Sequence, residues 1–294
     1  MRHPRPWRRR AIVAAAALAV GMLLAPGQEA TPAPAGPSPA VRTPRERTLG
    51  LAPGSGFVTE AYATDTTRQQ LTVRAPRADG DPAYAQVTAY EPGAFEPESL
   101  SRGALVLVGG HSAWYGNDAW HGTNPVPTVA WRTTYGTWVS VTGTGDRSTL
   151  FRLARAVRLH PPVPVAAPVG LTWLPTGLAL ASAQIGDGKY AATFTARRRR
   201  TYDLRLSAYP VTSDDWTNGT LGLGAPSHTV AGYNAWYSEK SNSSQLLVEA
   251  GRCGVRIQVS DATRLPLSVL DRMLRVATIG SCDGFGDWPP ILSR

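Results

Sequence analysis

The densest group of polar and aromatic side chains in the chain is the run His111-Ser-Ala-Trp-Tyr-Gly-Asn-Asp-Ala-Trp-His121. His111, Asp118 and His121 are the residue types that hold zinc, two imidazoles and a carboxylate oxygen. Their spacing matches no zinc motif, and a related stretch later in the chain carries Tyr233 where His111 stands. The trio is therefore an outside candidate only, and no metal is assigned. Nucleophilic chemistry has less support. There is no Gly-x-Ser-x-Gly elbow, and neither Cys253 nor Cys282 has a histidine nearby in sequence. Glu96 with Glu98, and Asp214 with Asp215, could serve as the carboxylate pair of a glycosidase. Each pair lies in a turn-rich stretch, where acids commonly start a short helix or face water. The reading is a non-enzymatic protein with no cofactor, and a cell-wall hydrolase is the weakest alternative.

Binding chemistry is better represented. Trp114, Tyr115, Trp120, Trp131, Tyr135 and Trp138 crowd one half of the chain, and Trp236 and Tyr237 recur in the other. Neighbours on a strand point to opposite faces. One member of each pair, Trp114/Tyr115 and Trp236/Tyr237, is thus expected in the core and the other outside, as a platform for a sugar ring, an acyl chain or a peptide. Trp120 lies in a loop, 116–128, that is longer than its counterpart 238–245, which makes it the best single contact candidate; the plainer alternative is that it caps its own core. Arg197, Arg198, Arg199 and Arg200 fall at a hairpin tip, with at most two facing any one way. They suit anionic headgroups or wall polymers, or simply water.

These residues sit on a pattern that occurs twice. Val108, Gly110, Ala113, Trp114 and Tyr115 return as Val230, Gly232, Ala235, Trp236 and Tyr237. Leu71-Thr-Val-Arg-Ala75 matches Ala192-Thr-Phe-Thr-Ala196, and Val139-Ser-Val141 is aligned with Ile257-Gln-Val259. The boundaries read as a targeting segment or anchor over 1–27, a Pro/Ala-rich tether over 28–48 and a first repeat over 49–160. A Pro-rich linker follows over 161–169, then a second repeat over 170–282 and a tail over 283–294. Within each repeat, alternating runs predict strands. Leu150, Leu153, Ala154 and Val157 then switch to helical spacing behind Asp146 as N-cap. The second copy has Leu270, Met273, Leu274 and Ala277. The expected fold class is α+β, two tandem antiparallel sheet units each closed by a C-terminal helix.

The first residues combine Arg2, Arg5, Arg8, Arg9 and Arg10 with an apolar run from Ala11 to Ala25. That run is short for a membrane span, so it predicts either a cleavable signal or a retained anchor. In both cases the body lies outside the cytoplasm, secreted or tied to the membrane. The net charge of +9 is misleading. Five of the 30 basic residues lie in this segment, which has no acid, leaving 25 against 21 acidic residues. Without the four adjacent arginines the remainder is neutral, which argues against a nucleic-acid partner. Lys189 and Lys240 are the only lysines, an arginine bias that fits a high-GC, actinobacterial-type genome. Cys253 and Cys282 outside the cytoplasm predict a structural disulfide.

In the first repeat the order Gly110-His-Ser-Ala-Trp114, Val129-Ala-Trp131, Gly136, Val139-Ser-Val141 and Leu150-Phe-Arg-Leu153 resembles the C-terminal unit of MucB/RseB-type sigma-regulatory proteins and of sporulation envelope lipoproteins. The second repeat departs from it, with Glu249 aligned to Trp131. The resemblance covers about 50 residues of each repeat, and it implies a non-enzymatic envelope protein that binds a protein or lipid partner. The expected partners are a lipid-like ligand or an envelope protein, with contact to membrane or wall polymer. The ligand would sit on a sheet face or between the repeats.

Overall fold

A computed structural model describes residues 44–75, 83–95, 100, 103–118, 126–186, 189–196, 203–212, 224–283 and 288–292. The expected targeting segment lies outside these. Among the described residues no helix is long and apolar enough to cross a membrane.

The chain enters as β1 (Glu46–Leu51) and continues through β2 (Val58–Asp65), β3 (Arg68–Ala75) and β4 (Ala83–Tyr90). It then forms β5 (Ala104–Val108), β6 (His111–Asp118), β7 (Val126–Arg132) and β8 (Trp138–Gly143). Helix α1 (Arg147–Ala156), β9 (Val157–Pro164) and β10 (Val169–Gly170) lead into the second half. That half runs through β11 (Leu178–Gly186), β12 (Lys189–Ala196), β13 (Leu204–Pro210) and β14 (His228–Val230). It ends with β15 (Tyr233–Lys240), β16 (Ser243–Ala250), β17 (Cys253–Val259), helix α2 (Leu267–Arg275) and β18 (Thr278–Ile279).

Fourteen strands make one antiparallel sheet in the order β14-β15-β16-β17-β13-β12-β11-β2-β3-β4-β8-β7-β6-β5. This overturns the expected α+β class with two tandem sheet units each closed by a helix: the described residues are mainly β, with one large fourteen-stranded sheet, two small two-stranded ones and two short helices among them. The join is β2 against β11, from Ala61 opposite Gly186 to Asp65 opposite Ser182. In separate units both strands would be edges with a row of unpaired N–H and C=O groups, and pairing them satisfies both. Backbones meet closely there, since a Cβ on Gly186 would lie 2.5 Å from that of Ala61. Counted outward from this seam, each set of seven strands follows the chain order first, second, third, seventh, sixth, fifth, fourth.

The ladder also corrects the sequence alignment. Leu71 and its match Ala192 pair with Val87 and Leu206, which in turn pair with Val141 and Ile257, so Val139 and Val141 correspond to Val255 and Ile257, two residues earlier than aligned. Trp131 then corresponds to Val248, and Glu249 falls on the opposite face.

One face of the sheet carries the core. Leu71, Val73, Val87, Val129, Val141, Phe194, Leu206, Leu246 and Ile257 alternate inward and are buried, as half-buried strands require. Helix α1 places Leu150, Leu153 and Ala154 on this face, and Asp146 caps it by accepting from the Thr149 N–H at 2.7 Å. Helix α2 adds Leu270, Met273 and Leu274, but its N-cap position is Pro266, with no side-chain cap. Both helices stop earlier than the sequence suggests. Val157 begins β9, and Thr278 begins β18.

Three segments expected to lie outside the domains are built into the same body. β9, with Pro161, Pro162 and Pro164, pairs antiparallel with β1, where proline is tolerated because the strand is an edge. Buried Gln69 clamps β1: its Oε1 accepts from the Thr48 and Leu49 N–H groups at 2.9 and 3.1 Å, and its Nε2 donates to Glu46 O at 2.9 Å. Val165 and the whole run from Ala167 to Leu171 are buried along the supposed linker. The tail runs beside them: Ala167 N–H donates to Pro289 O, Ile291 N–H to Val165 O and Leu171 N–H to Ile291 O. Cys253 and Cys282 are bonded, with Cα atoms 5.2 Å apart, as expected from the sequence.

Candidate functional site

Where β2 meets β11, the core face of the sheet opens into a cleft of about 320 Å³. Its floor is Thr59, Ala61, Tyr62 and Ile185; its walls are Arg47 on β1, Val165 and Ala166 of the buried connection, and Trp288 of the tail. Each arrives for a local reason. Tyr62 and Ile185 are partners across the seam, so both point to the core face. Arg47 sits beside the bulge where β1 shifts register against β9. The Trp288 indole N–H donates to Ser281 O at 2.7 Å, next to the disulfide at Cys282.

The cleft is mostly apolar, with polar groups contributed by Arg47, Thr59, Glu60 and Tyr62. The Tyr62 hydroxyl is buried without a hydrogen-bond partner. Burial pushes its pKa up, against weaker opposing pulls from Thr64 and Arg47. The Arg47 guanidinium stands 6.0 Å from the Tyr62 ring centroid, a cation–π distance, and its residue is exposed at the rim. Glu60 also borders the cleft, and its carboxylate is taken by Arg74. The arrangement suits an apolar body with an anionic end.

The aromatic pairs divide between the two faces. Tyr115 points to the core face, edge-on to Phe151 at 5.6 Å and under the Arg147 guanidinium at 4.8 Å. Trp114 is half-buried on the other face, in a small cluster with Tyr90, Phe95, Leu100, Ala130 and Trp138. Tyr237 packs partly against the main core, and its hydroxyl donates to Glu239 Oε2 at 2.8 Å. Trp236 lies on the opposite face and donates from its indole N–H to Gly224 O at 3.1 Å. Neither pair borders the seam cleft. His111 is exposed on a separate cleft of about 260 Å³, between the β5–β6 turn and the end of α1. Trp120, His121, Arg197, Arg198, Arg199 and Arg200 lie outside the described residues, as does the side chain of Asp118. So do Glu96, Glu98, Asp214 and Asp215.

Sequence reasoning missed the cleft because its walls come from segments set aside as tether, linker and tail. Two signals were available. Val163, Val165, Ala167, Val169 and Leu171 keep a period of two through the prolines, and Trp288 is a large aromatic in an otherwise tail-like stretch.

No family model and no curated sequence matches the chain. Among solved structures, a crystal structure of MucB in complex with MucA(peri) is 11% identical, covering 76% of this chain and 93% of that chain at a TM-score of 0.22. A crystal structure of MucB alone is 10% identical, covering 81% and 94% at a TM-score of 0.18. The likeness to MucB is weak.

Proposed function

We propose that this is a non-enzymatic extracytoplasmic binding protein that holds an amphiphilic ligand in the seam cleft. The apolar chain would lie between Tyr62, Ile185, Val165 and Trp288, and the anionic end would face Arg47. The observation that carries the reading is the cleft itself, concave, largely apolar and bordered by one arginine. Its volume sits at the lower end of the range for small-molecule sites, of roughly 300–1,000 Å³. The equal strand order on both sides of the seam supports a duplicated unit whose two copies share one site between them.

Native mass spectrometry of the exported chain, together with titration of laurate as probe, tests the proposal. Wild type is expected to carry or take up one acyl-sized mass. Thr59→Trp puts an indole into the cleft from an exposed position. It is expected to weaken laurate binding at least about tenfold while leaving the Tm unchanged. A wild-type chain that takes up no laurate, or equal binding by the variant, overturns the reading and favours a purely protein-binding envelope component.

A further inference from the structure

The two ends of the fourteen-stranded sheet are built differently. β14 is three residues long and presents His228 and Thr229 to solvent. β5 is a five-residue strand, Ala-Leu-Val-Leu-Val, in which Leu105 is 64% and Leu107 is 70% exposed. From Gly103 to Gly110 there is no charge and no proline. An edge strand usually carries such residues to discourage pairing with another chain.

β5 is also self-complementary. Leu105 pairs with Trp114 and Leu107 with Ser112, which puts both leucines on the face opposite the core, beside the Trp114 cluster. Val106 lies between them and faces the core side, opposite Ala113. The sequence Leu-Val-Leu is symmetric about Val106. If β5 pairs antiparallel with itself about a twofold axis through Val106, Leu105 meets the partner's Leu107 and Leu107 meets the partner's Leu105. All four leucines then fall on one face, and Ala104 and Val108 pair on the other. This is an isologous contact that closes after two copies. About four to six backbone hydrogen bonds would form, according to which alternate residues direct their amides outward.

We propose that β5 is a dimerisation edge, where two copies of this chain join their sheets antiparallel with Val106 opposite Val106. The occupant is a second copy because the strand's apolar pattern reads the same from both directions. The inference is independent of the cleft.

Sedimentation equilibrium of the exported chain is expected to give twice the monomer mass at tens of micromolar. Leu105→Lys with Leu107→Lys changes two exposed side chains and sets like charges opposite each other across the pair. It is expected to weaken association at least about tenfold with an unchanged circular dichroism spectrum. Register is checked separately. Val106→Cys places two thiols on facing residues with Cα atoms about 5 Å apart, and it should form an intermolecular disulfide faster than Leu105→Cys. A wild-type monomer at these concentrations, a dimer indifferent to the two lysines, or equal cross-linking at 105 and 106 overturns the proposal. So does recovery of β5 protected by a different polypeptide.

Discussion

Gln69 shows how much one buried amide holds in place. It has no solvent exposure, and its two polar ends satisfy three backbone groups of β1, namely the Thr48 and Leu49 N–H groups and the Glu46 carbonyl. Gln69→Ala strands those groups in a dry place, so urea unfolding should show a loss of about 2–4 kcal/mol. Arg47 would also lose its fixed place at the cleft. Tyr190 is the opposite case. Its hydroxyl is buried with no partner, and burial raises its pKa well above 10.0. Tyr190→Phe removes an unsatisfied group, so at neutral pH the stability should change by less than about 1 kcal/mol. The folded pKa lies above the unfolded one, so this tyrosine's contribution is fully present below pH 10.0 and is lost as pH rises beyond it. Wild type should therefore lose stability above that pH, and Tyr190→Phe should lose less. Equal alkaline profiles for the two proteins would contradict this account.

At the scale of elements, the clearest contrast is between two equivalent turns. β5 and β6 are joined by Gly109 and Gly110, with φ of 57° and 85°. β14 and β15 are joined by Ala231 and Gly232, with φ of 53° and 86°. Two consecutive positive φ values are the requirement of the two-residue turn that matches strand twist, and alanine adopts them against its Cβ. Ala231→Gly should raise stability by about 0.5–1 kcal/mol, read as a higher urea midpoint with an unchanged slope. The same change elsewhere in a strand would lower it. Helix α1 was readable in advance because its apolar spacing and its Asp146 cap are both local. Its C-terminal boundary was not, since Val157 leaves the helix to pair with Leu51 on β1, a partner far away in sequence. The period-two runs of β3 and β12 were legible for the same local reason. So was the placing of Trp114 and Tyr115 on opposite faces.

For the whole molecule the disulfide is the covalent link that fixes the tail. It links β17 to the start of the tail across 29 residues, and the tail then supplies Trp288 to the cleft and Ile291 to the core. Replacing Cys253 and Cys282 together with alanine should cost roughly 3–4 kcal/mol in the chain-entropy account. Tryptophan emission should also move to the red as Trp288 gains water. A stability loss without that spectral change would show that buried Ile291 and the backbone bonds from Pro289 to Ala167 and from Ile291 to Val165 hold the tail unaided. The sequence by itself determined what depends on neighbours along the chain: strand periodicity, the helix faces, the capping aspartate, the repeated aromatic motif and the cysteine pairing. Only the tertiary structure decided that two expected sheets are one, that the walls of a cleft come from apparent tether, linker and tail, and that Val248 takes the place of Trp131. The physical reason is common to all three. A strand's pattern shows which face is buried, but its hydrogen-bond partner is chosen by whichever edge remains unsatisfied when the chain has collapsed. That choice is made between residues more than a hundred positions apart, such as Tyr62 and Ile185.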